Sequence, residues 1–496
     1  MSITRRSLIV LWVVSWGVGS VQSPAPAWAV GSASAQVSGE GAKERVRTAA
    51  NELHRWVSQN RGQLSLHVGS LNLGKTVVDI NGERPLNPAS NTKLLTMVAV
   101  LSELGPQWRF TTRLYGRARG NKVEKLVMWS NGDPTLDRPA LLDLAFQLVQ
   151  QGIKHIGQLL VDQSFYDEQF VPPGFEQQPD EWAAFRAPVS AVAFDANTLS
   201  IAVYPTQPGQ PASVKAFPPS FVSIVNEAKT TRSGSKQTIR VAAVAERFGL
   251  KVNVKGGLGP ESAPALFVRR VDDPRLLPGY ALADVLRMLG VMVPNAVELG
   301  AAEKENVLAQ RSSQELSTLV QRLGKDSDNF TAEMLVKALG AHATSHPGSS
   351  EDGMAVIRRY AEQIHPLSPD SRLINGSGLY DSNRLSAEFL AEVLRTMRHD
   401  QRLGPEYLAS LSVAGRDGTL RTRLTKYATA ATIRGKTGTL NQVVGLSGYL
   451  DVASASEPWI FSIIVNGIDK VDLVRQKIDE FVSRLIDAML ALPASG

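Results

Sequence analysis

Two stretches that read as parts of one sheet lie at opposite ends of this 496-residue chain, and that separation constrains the fold more than any other feature. Near the start, residues 43–59 carry Val46, Ala49, Leu53 and Trp56 on one stripe, the pattern of an amphipathic helix. Strands are expected at 64–68 and 76–80. Near the end, 432–439, 443–450 and 459–465 read as three antiparallel strands and 472–490 as a closing amphipathic helix. Helices are expected between the two ends at 277–291, 313–323, 331–342, 351–364 and 386–398. This order predicts an α+β domain whose sheet joins the N- and C-terminal segments. Residues 107–272 interrupt it. They are rich in strands and turns, with clusters such as Pro205-Thr206-Gln207-Pro208-Gly209. The expected division is a host domain at 40–106 and 273–491, a mostly β inserted domain at 107–199 and a further nested domain at 200–272.

The first thirty residues bear on compartment. Arg5-Arg6, a short apolar run from Leu8 to Val14, and Ala27-Trp28-Ala29 form the pattern of a secretory signal peptide, here 1–29. The competing reading, a membrane anchor, meets an apolar run shorter than the roughly 18–20 residues a spanning helix needs. The expectation is an exported protein, periplasmic or cell-wall-associated, and not integral to the membrane after cleavage. The chain has no Cys, which excludes disulfides, thiolate catalysis and cysteine zinc sites. Its net charge of +6 is spread without a Lys/Arg block, so no nucleic-acid partner is indicated.

Three short motifs carry chemistry. In Ser90-x-x-Lys93, a helix opening at Ser90 puts Lys93 one turn on and on the same face. A Ser needs an adjacent base to act as a nucleophile, and a Lys serves if its pKa is pulled down. Backbone N–H groups at the helix start suit an oxyanion. A second copy, Ser233-Gly234-Ser235-Lys236, sits in a polar loop and reads as chance. Ser327-Asp328-Asn329 precedes a helix, and its ordinary reading is a cap. Lys436-Thr437-Gly438 ends a strand; Gly there lets a ligand backbone approach, while Lys and Thr offer a cation and a hydroxyl to a carboxylate. Its ordinary reading is an edge strand with a solvated Lys. Singly each motif is weak. Together and in this order they are the signature of penicillin-binding proteins and class A β-lactamases.

On these motifs and their spacing, the chain resembles the class C low-molecular-mass penicillin-binding proteins, the D-alanyl-D-alanine carboxypeptidase/endopeptidase family. The long gap between Ser90 and Ser327 is where that family carries its insertion. Gly132-Asp133-Pro134-Thr135-Leu136, Ala187-Pro188-Val189-Ser190-Ala191, Gly376-Ser377-Gly378-Leu379 and Gly415-Arg416-Asp417-Gly418-Thr419-Leu420 extend the likeness. The resemblance implies a penicillin-binding/serine β-lactamase-like catalytic domain acting on peptidoglycan stem peptides and acylated by β-lactam inhibitors, with no cofactor. It implies Ser90 as nucleophile, Lys93 as base, Ser327 as proton relay, Asn329 as a binder of substrate backbone and Lys436 as a source of positive potential. Thr437, with Gly438 beside it, would hold the terminal carboxylate, and the N–H groups of Ser90 and Thr439 would form the oxyanion hole. Asp180, Phe185 and Asn441 would line the far end of the substrate site.

Two departures touch specificity: Asn375 stands where the family usually has Asp, and Asp381 falls where an Arg is often found. His342 and His346 have metal-like spacing but no third ligand, so no metal site is expected. Glu333 and Lys337 read as a surface helix pair. The alternatives are a β-lactamase or esterase on the same fold, and an idle wall-binding protein, against which all three motifs stand unbroken.

Overall fold

The computed structural model describes residues 39–492 apart from 247–248, 345–346, 454 and 456; the expected signal peptide and His346 lie outside the described residues. The host domain is built from α1 (Gly39–Gln59), β1 (Gln63–Ser70), β2 (Thr76–Ile80), α2 (Lys93–Leu104), α3 (Asn329–Thr344), β3 (Ala431–Leu440), β4 (Val443–Val452), β5 (Trp459–Asn466) and α4 (Val471–Leu490). Its antiparallel sheet runs from the short strand Ser412–Val413 through β3, β4, β5 and β1 to β2. The two ends of the chain thus meet in the middle of the sheet, where Gln63 pairs with Asn466 and Ser70 with Trp459.

Both faces of this sheet are covered, which is why its central strands read as nearly unbroken apolar runs. On one face Phe461, Ile463 and Val465 of β5 pack with Leu64, Leu66 and Val68 against α1 and α4. On the other, Ile460 and Ile464 meet a helical layer containing α2 and α3. The stripe read on α1 is real: Val46, Ala49 and Leu53 are buried against Phe481, Val482 and Leu485, with Trp56 at the margin. Burying each such side chain contributes roughly 1.5–3 kcal/mol.

The insertion contains its own sheet, ordered Glu298–Leu299, His155–Asp162, Lys122–Ser130, Thr111–Tyr115 and Val307–Ser312, with Ala118–Arg119 pairing off it. Two three-stranded sheets fill the stretch from Thr198 to Arg270. Here packing draws a different border from the one expected. The helix Leu277–Met288 belongs to the insertion's core, where Leu282, Val285 and Leu286 lie with Leu141, Leu144 and Leu148. The Val307–Ser312 strand completes the inserted sheet, so the chain returns to the host domain at the helix Leu316–Lys325 rather than at 273.

Candidate active site

The nucleophile candidate sits on a strained turn. Ala89–Thr92 form a 3-10 turn leading straight into α2, with Ala89 in the left-handed region at φ 48°. Asn87 anchors the turn: its side-chain oxygen accepts from Ala89 N–H at 2.9 Å, and its amide donates to Tyr380 C=O at 3.0 Å. The turn lies flat on the sheet because the cross-strand partners Gly438 and Gly445 have no side chains. A Cβ on Gly438 would come within 2.6 Å of Pro88 C=O, and one on Gly445 within 2.4 Å of Asn91 Nδ2. This corrects the role read for Gly438: it admits the turn that carries Ser90.

Lys93 is fully buried and ends among three acceptors, Ser90 Oγ at 3.0 Å, Asn329 Oδ1 at 2.7 Å and Ser377 C=O at 2.6 Å. Burial pulls its pKa down to about 7, against the opposing pull of Glu333 and Asp328. A neutral fraction therefore exists near neutrality, aimed at the Ser90 hydroxyl.

The second motif divides its labour. Asp328 is the cap of its ordinary reading, accepting from the N–H groups of Phe330 at 3.1 Å and Thr331 at 3.2 Å. Ser327, at φ 59°, is held in a left-handed conformation that costs about 1–3 kcal/mol. Its Oγ accepts from Lys436 Nζ at 2.7 Å. Asn329 spans two parts of the molecule, since its Oδ1 meets Lys93 while its Nδ2 donates to Phe185 C=O in the insertion at 3.1 Å. Lys436 is not a solvated strand lysine. It is fully buried, and burial together with nearby Lys93 holds its pKa well below the usual lysine range. Thr437 Oγ1 donates to Thr419 Oγ1 at 2.8 Å, bringing in a hydroxyl from the Gly415–Leu420 segment that had no assigned role.

Ser90, Ser327 and Asn329 open onto one cleft of about 900 Å³, which Thr439, Asn441 and Phe185 also help to line, with Lys93 and Lys436 buried behind it. Asp180 does not line it. Its place is an adjoining depression beside Trp182 and Arg269; its neighbour Glu181 lines both this depression and the cleft, and Glu181 Oε1 accepts from Ala183 N–H at 2.8 Å. Two buried arginines set the loop's path: Arg270 donates to Pro179 C=O at 2.8 Å and Glu181 C=O at 2.6 Å, and Arg186 to Phe175 C=O at 2.9 Å. Asp381 does line the cleft, but its charge is paired with Arg384 at 2.6 Å, which holds its carboxyl below the usual range.

Glu333 and Lys337 are not a surface pair, for both are fully buried. Glu333 accepts from Ser377 N–H at 2.7 Å, and Lys337 is paired with Asp167 of the insertion and donates to Gln169 C=O at 2.8 Å. The signal that α3 is a buried helix is present in Phe330 to Ala341, where small and apolar residues surround Glu333 and Lys337 on the other faces. Ser233 of the second S-x-x-K copy donates to Glu261 at 2.7 Å in an exposed loop. His342 stacks edge-on with Trp108, and among the described residues no three His, Asp or Glu are grouped to hold a metal. None of the described helices is long and apolar enough to cross a membrane.

A family model, D-Ala-D-Ala carboxypeptidase 3 (S13), matches residues 50–485. The D-alanyl-D-alanine carboxypeptidase of Actinomadura sp. (strain R39) is 30% identical over 418 residues, 79% of this chain and 76% of that protein. D-alanyl-D-alanine carboxypeptidase DacB of Haemophilus influenzae is 26% identical over 413 residues, 82% and 85% of the two chains. The crystal structure of penicillin binding protein 4 (dacB) from Haemophilus influenzae superposes with a TM-score of 0.72 at 22% identity, covering 88% of this chain and 99% of that one; it establishes the shared fold.

Proposed function

The chain belongs to the D-Ala-D-Ala carboxypeptidase 3 (S13) family, and from that premise we propose that it hydrolyses stem peptides through an acyl-enzyme on Ser90. It is a serine-type D-Ala-D-Ala carboxypeptidase. The observation that carries the mechanism is the 3.0 Å contact between Ser90 Oγ and a buried Lys93 whose pKa lies near 7.

In this reading neutral Lys93 takes the Ser90 proton as Oγ attacks the carbonyl of the penultimate D-Ala. The N–H groups of Ser90 and Thr439 receive the oxyanion. Ser327, bonded to Lys436, passes a proton to the departing amine, and water then releases the acyl group. Thr437 and Lys436 bind the terminal carboxylate, whose negative charge favours the ammonium form of Lys436 that burial alone disfavours. Asn329 Nδ2 has a second N–H beyond the one given to Phe185 C=O, and that donor is the one available to the substrate backbone.

The cleft volume of about 900 Å³ leaves room for a larger leaving group too, so crosslinked D-alanyl peptides are proposed as a second substrate, and β-lactams as covalent inhibitors. The site of action is the exported, peptidoglycan-facing compartment. Incubating the protein with muropeptide monomers and crosslinked dimers, with products followed by mass, tests both activities. Release of D-Ala and appearance of monomers is the expected result; no product from either would overturn the reading. A penicillin adduct that turns over in seconds rather than persisting for minutes would favour a β-lactamase instead.

A further inference from the structure

Glu333 lies on α3 one turn beyond Asn329 and points into the protein, with no exposed surface. Its Oε1 accepts from Ser377 N–H at 2.7 Å and its Oε2 from Gly376 N–H at 3.5 Å. The carbonyl of the same Ser377 accepts from Lys93 Nζ at 2.6 Å. One residue of main chain therefore stands between a buried carboxylate and the buried amine. The segment is held from another side by Thr96 Oγ1, which donates to Gly376 C=O at 2.7 Å. It has little room to move, since a Cβ on Gly376 would come within 2.4 Å of Val336 Cγ2.

We propose that Glu333 is a positioning residue for acylation: its carboxylate fixes the Ser377 peptide that aims Lys93 at Ser90. The inference rests on the reading of Lys93 as the base for Ser90. The charged groups that face Lys93 are Glu333 from α3, Asp328 just before that helix and Lys436 from β3. Asp328 is part-exposed and committed to the helix cap, so Glu333 is the fully buried counter-charge to Lys93. A buried charge left without such a partner is strongly disfavoured.

The sign follows from the charge. Burial pushes the Glu333 carboxyl up, against the pull of the Ser377 and Gly376 N–H groups and of Lys93; as a carboxylate it stabilises the ammonium form of Lys93 and so raises its pKa. Removing the charge lowers that pKa and moves the acid limb of the rate profile to lower pH. Loss of the carboxylate's geometry has a different effect: two buried N–H groups lose their acceptor and the Ser377 carbonyl is free to turn.

The test uses the full protein, a fluorescent penicillin and the acylation rate as a function of pH. Glu333→Ala should lower the plateau rate by roughly 10–100-fold, the scale of a misplaced catalytic group. Glu333→Gln keeps an acceptor for Ser377 N–H and should recover most of that loss, with its acid limb displaced to lower pH. Thermal melts confirm that each variant is folded. An acid limb that stays in place in the Gln variant, or a plateau that survives in a folded Ala variant, overturns the inference. Lys93→Ala separates the two levels: acylation retained there defeats the base assignment beneath, whereas acylation lost there alongside unaltered Glu333 variants defeats this inference alone.

Discussion

Asn466, the last residue of β5, clasps Asn87 from both sides: its Oδ1 accepts from Asn87 N–H at 2.9 Å and its Nδ2 donates to Asn87 C=O at 3.0 Å. Asn87 in turn caps the turn that presents Ser90. The C-terminal end of the sheet thereby fixes the nucleophile near the other end of the sequence. Asn466→Asp loses the donor and sets a carboxylate against Asn87 C=O. We expect a stability loss of about 1–3 kcal/mol in urea unfolding, with slower penicillin acylation. Unchanged unfolding and acylation would mean that the turn is held by its other contacts alone.

The pH profile follows from Lys93. Its pKa is drawn to about 7 by burial, so below that value it is increasingly protonated and cannot take the Ser90 proton. The acylation rate should fall about tenfold per pH unit on the acid side of neutrality. Stopped-flow acylation from pH 5 to 9 measures this, and a flat profile speaks against a lysine base.

Glu181 lines the cleft as well as the depression that holds Asp180, and it is the carboxylate of this loop expected to meet a cationic stem-peptide group. Glu181→Gln should slow D-Ala release from a peptide bearing a free amine at its third residue by roughly 5–150-fold, the worth of a charge-assisted bond of about 1–3 kcal/mol. Penicillin acylation should change little, and Asp180→Asn should leave both reactions near wild type. A larger effect at Asp180 would reverse the assignment.

Asn375 gives a prediction on stability. Its Nδ2 donates to Pro173 C=O in the insertion at 2.9 Å, and its Oδ1 accepts from Gly378 N–H at 2.9 Å. Asn375→Asp, the residue more usual at this place, would press a buried carboxylate against a carbonyl. A loss of about 1–3 kcal/mol is expected by calorimetry at neutral pH. A more stable variant would show that the local backbone adjusts around it.

What could be read from the sequence followed from periodicity and motif order. The stripe on α1 and the paired ends of the sheet were legible because each side chain's face is set by a fixed repeat. Ser90, Lys93, Ser327 and Lys436 were legible because helix starts and strand edges place short motifs predictably. The choice between Asp180 and Glu181 was not, because a loop pinned by Arg186 and Arg270 has no repeat to say which neighbour faces inward. Glu333 and Lys337 were misread for a related reason: spacing of four tells which side chains share a helix face, but not whether that face meets water. The border at 273 failed because Leu277–Met288 has the same amphipathic character whichever core it serves.

The Lys337–Asp167 pair has an evolutionary reading. Lys337 is buried on the helix whose first residue is Asn329, yet its counter-ion belongs to the insertion, as does the tyrosine, Tyr166, whose hydroxyl donates to Met334 C=O at 3.2 Å. Cutting the insertion out would remove the Lys337 counter-ion and the Tyr166 contact together and uncover that side of the helix. The insertion is therefore no longer detachable cargo.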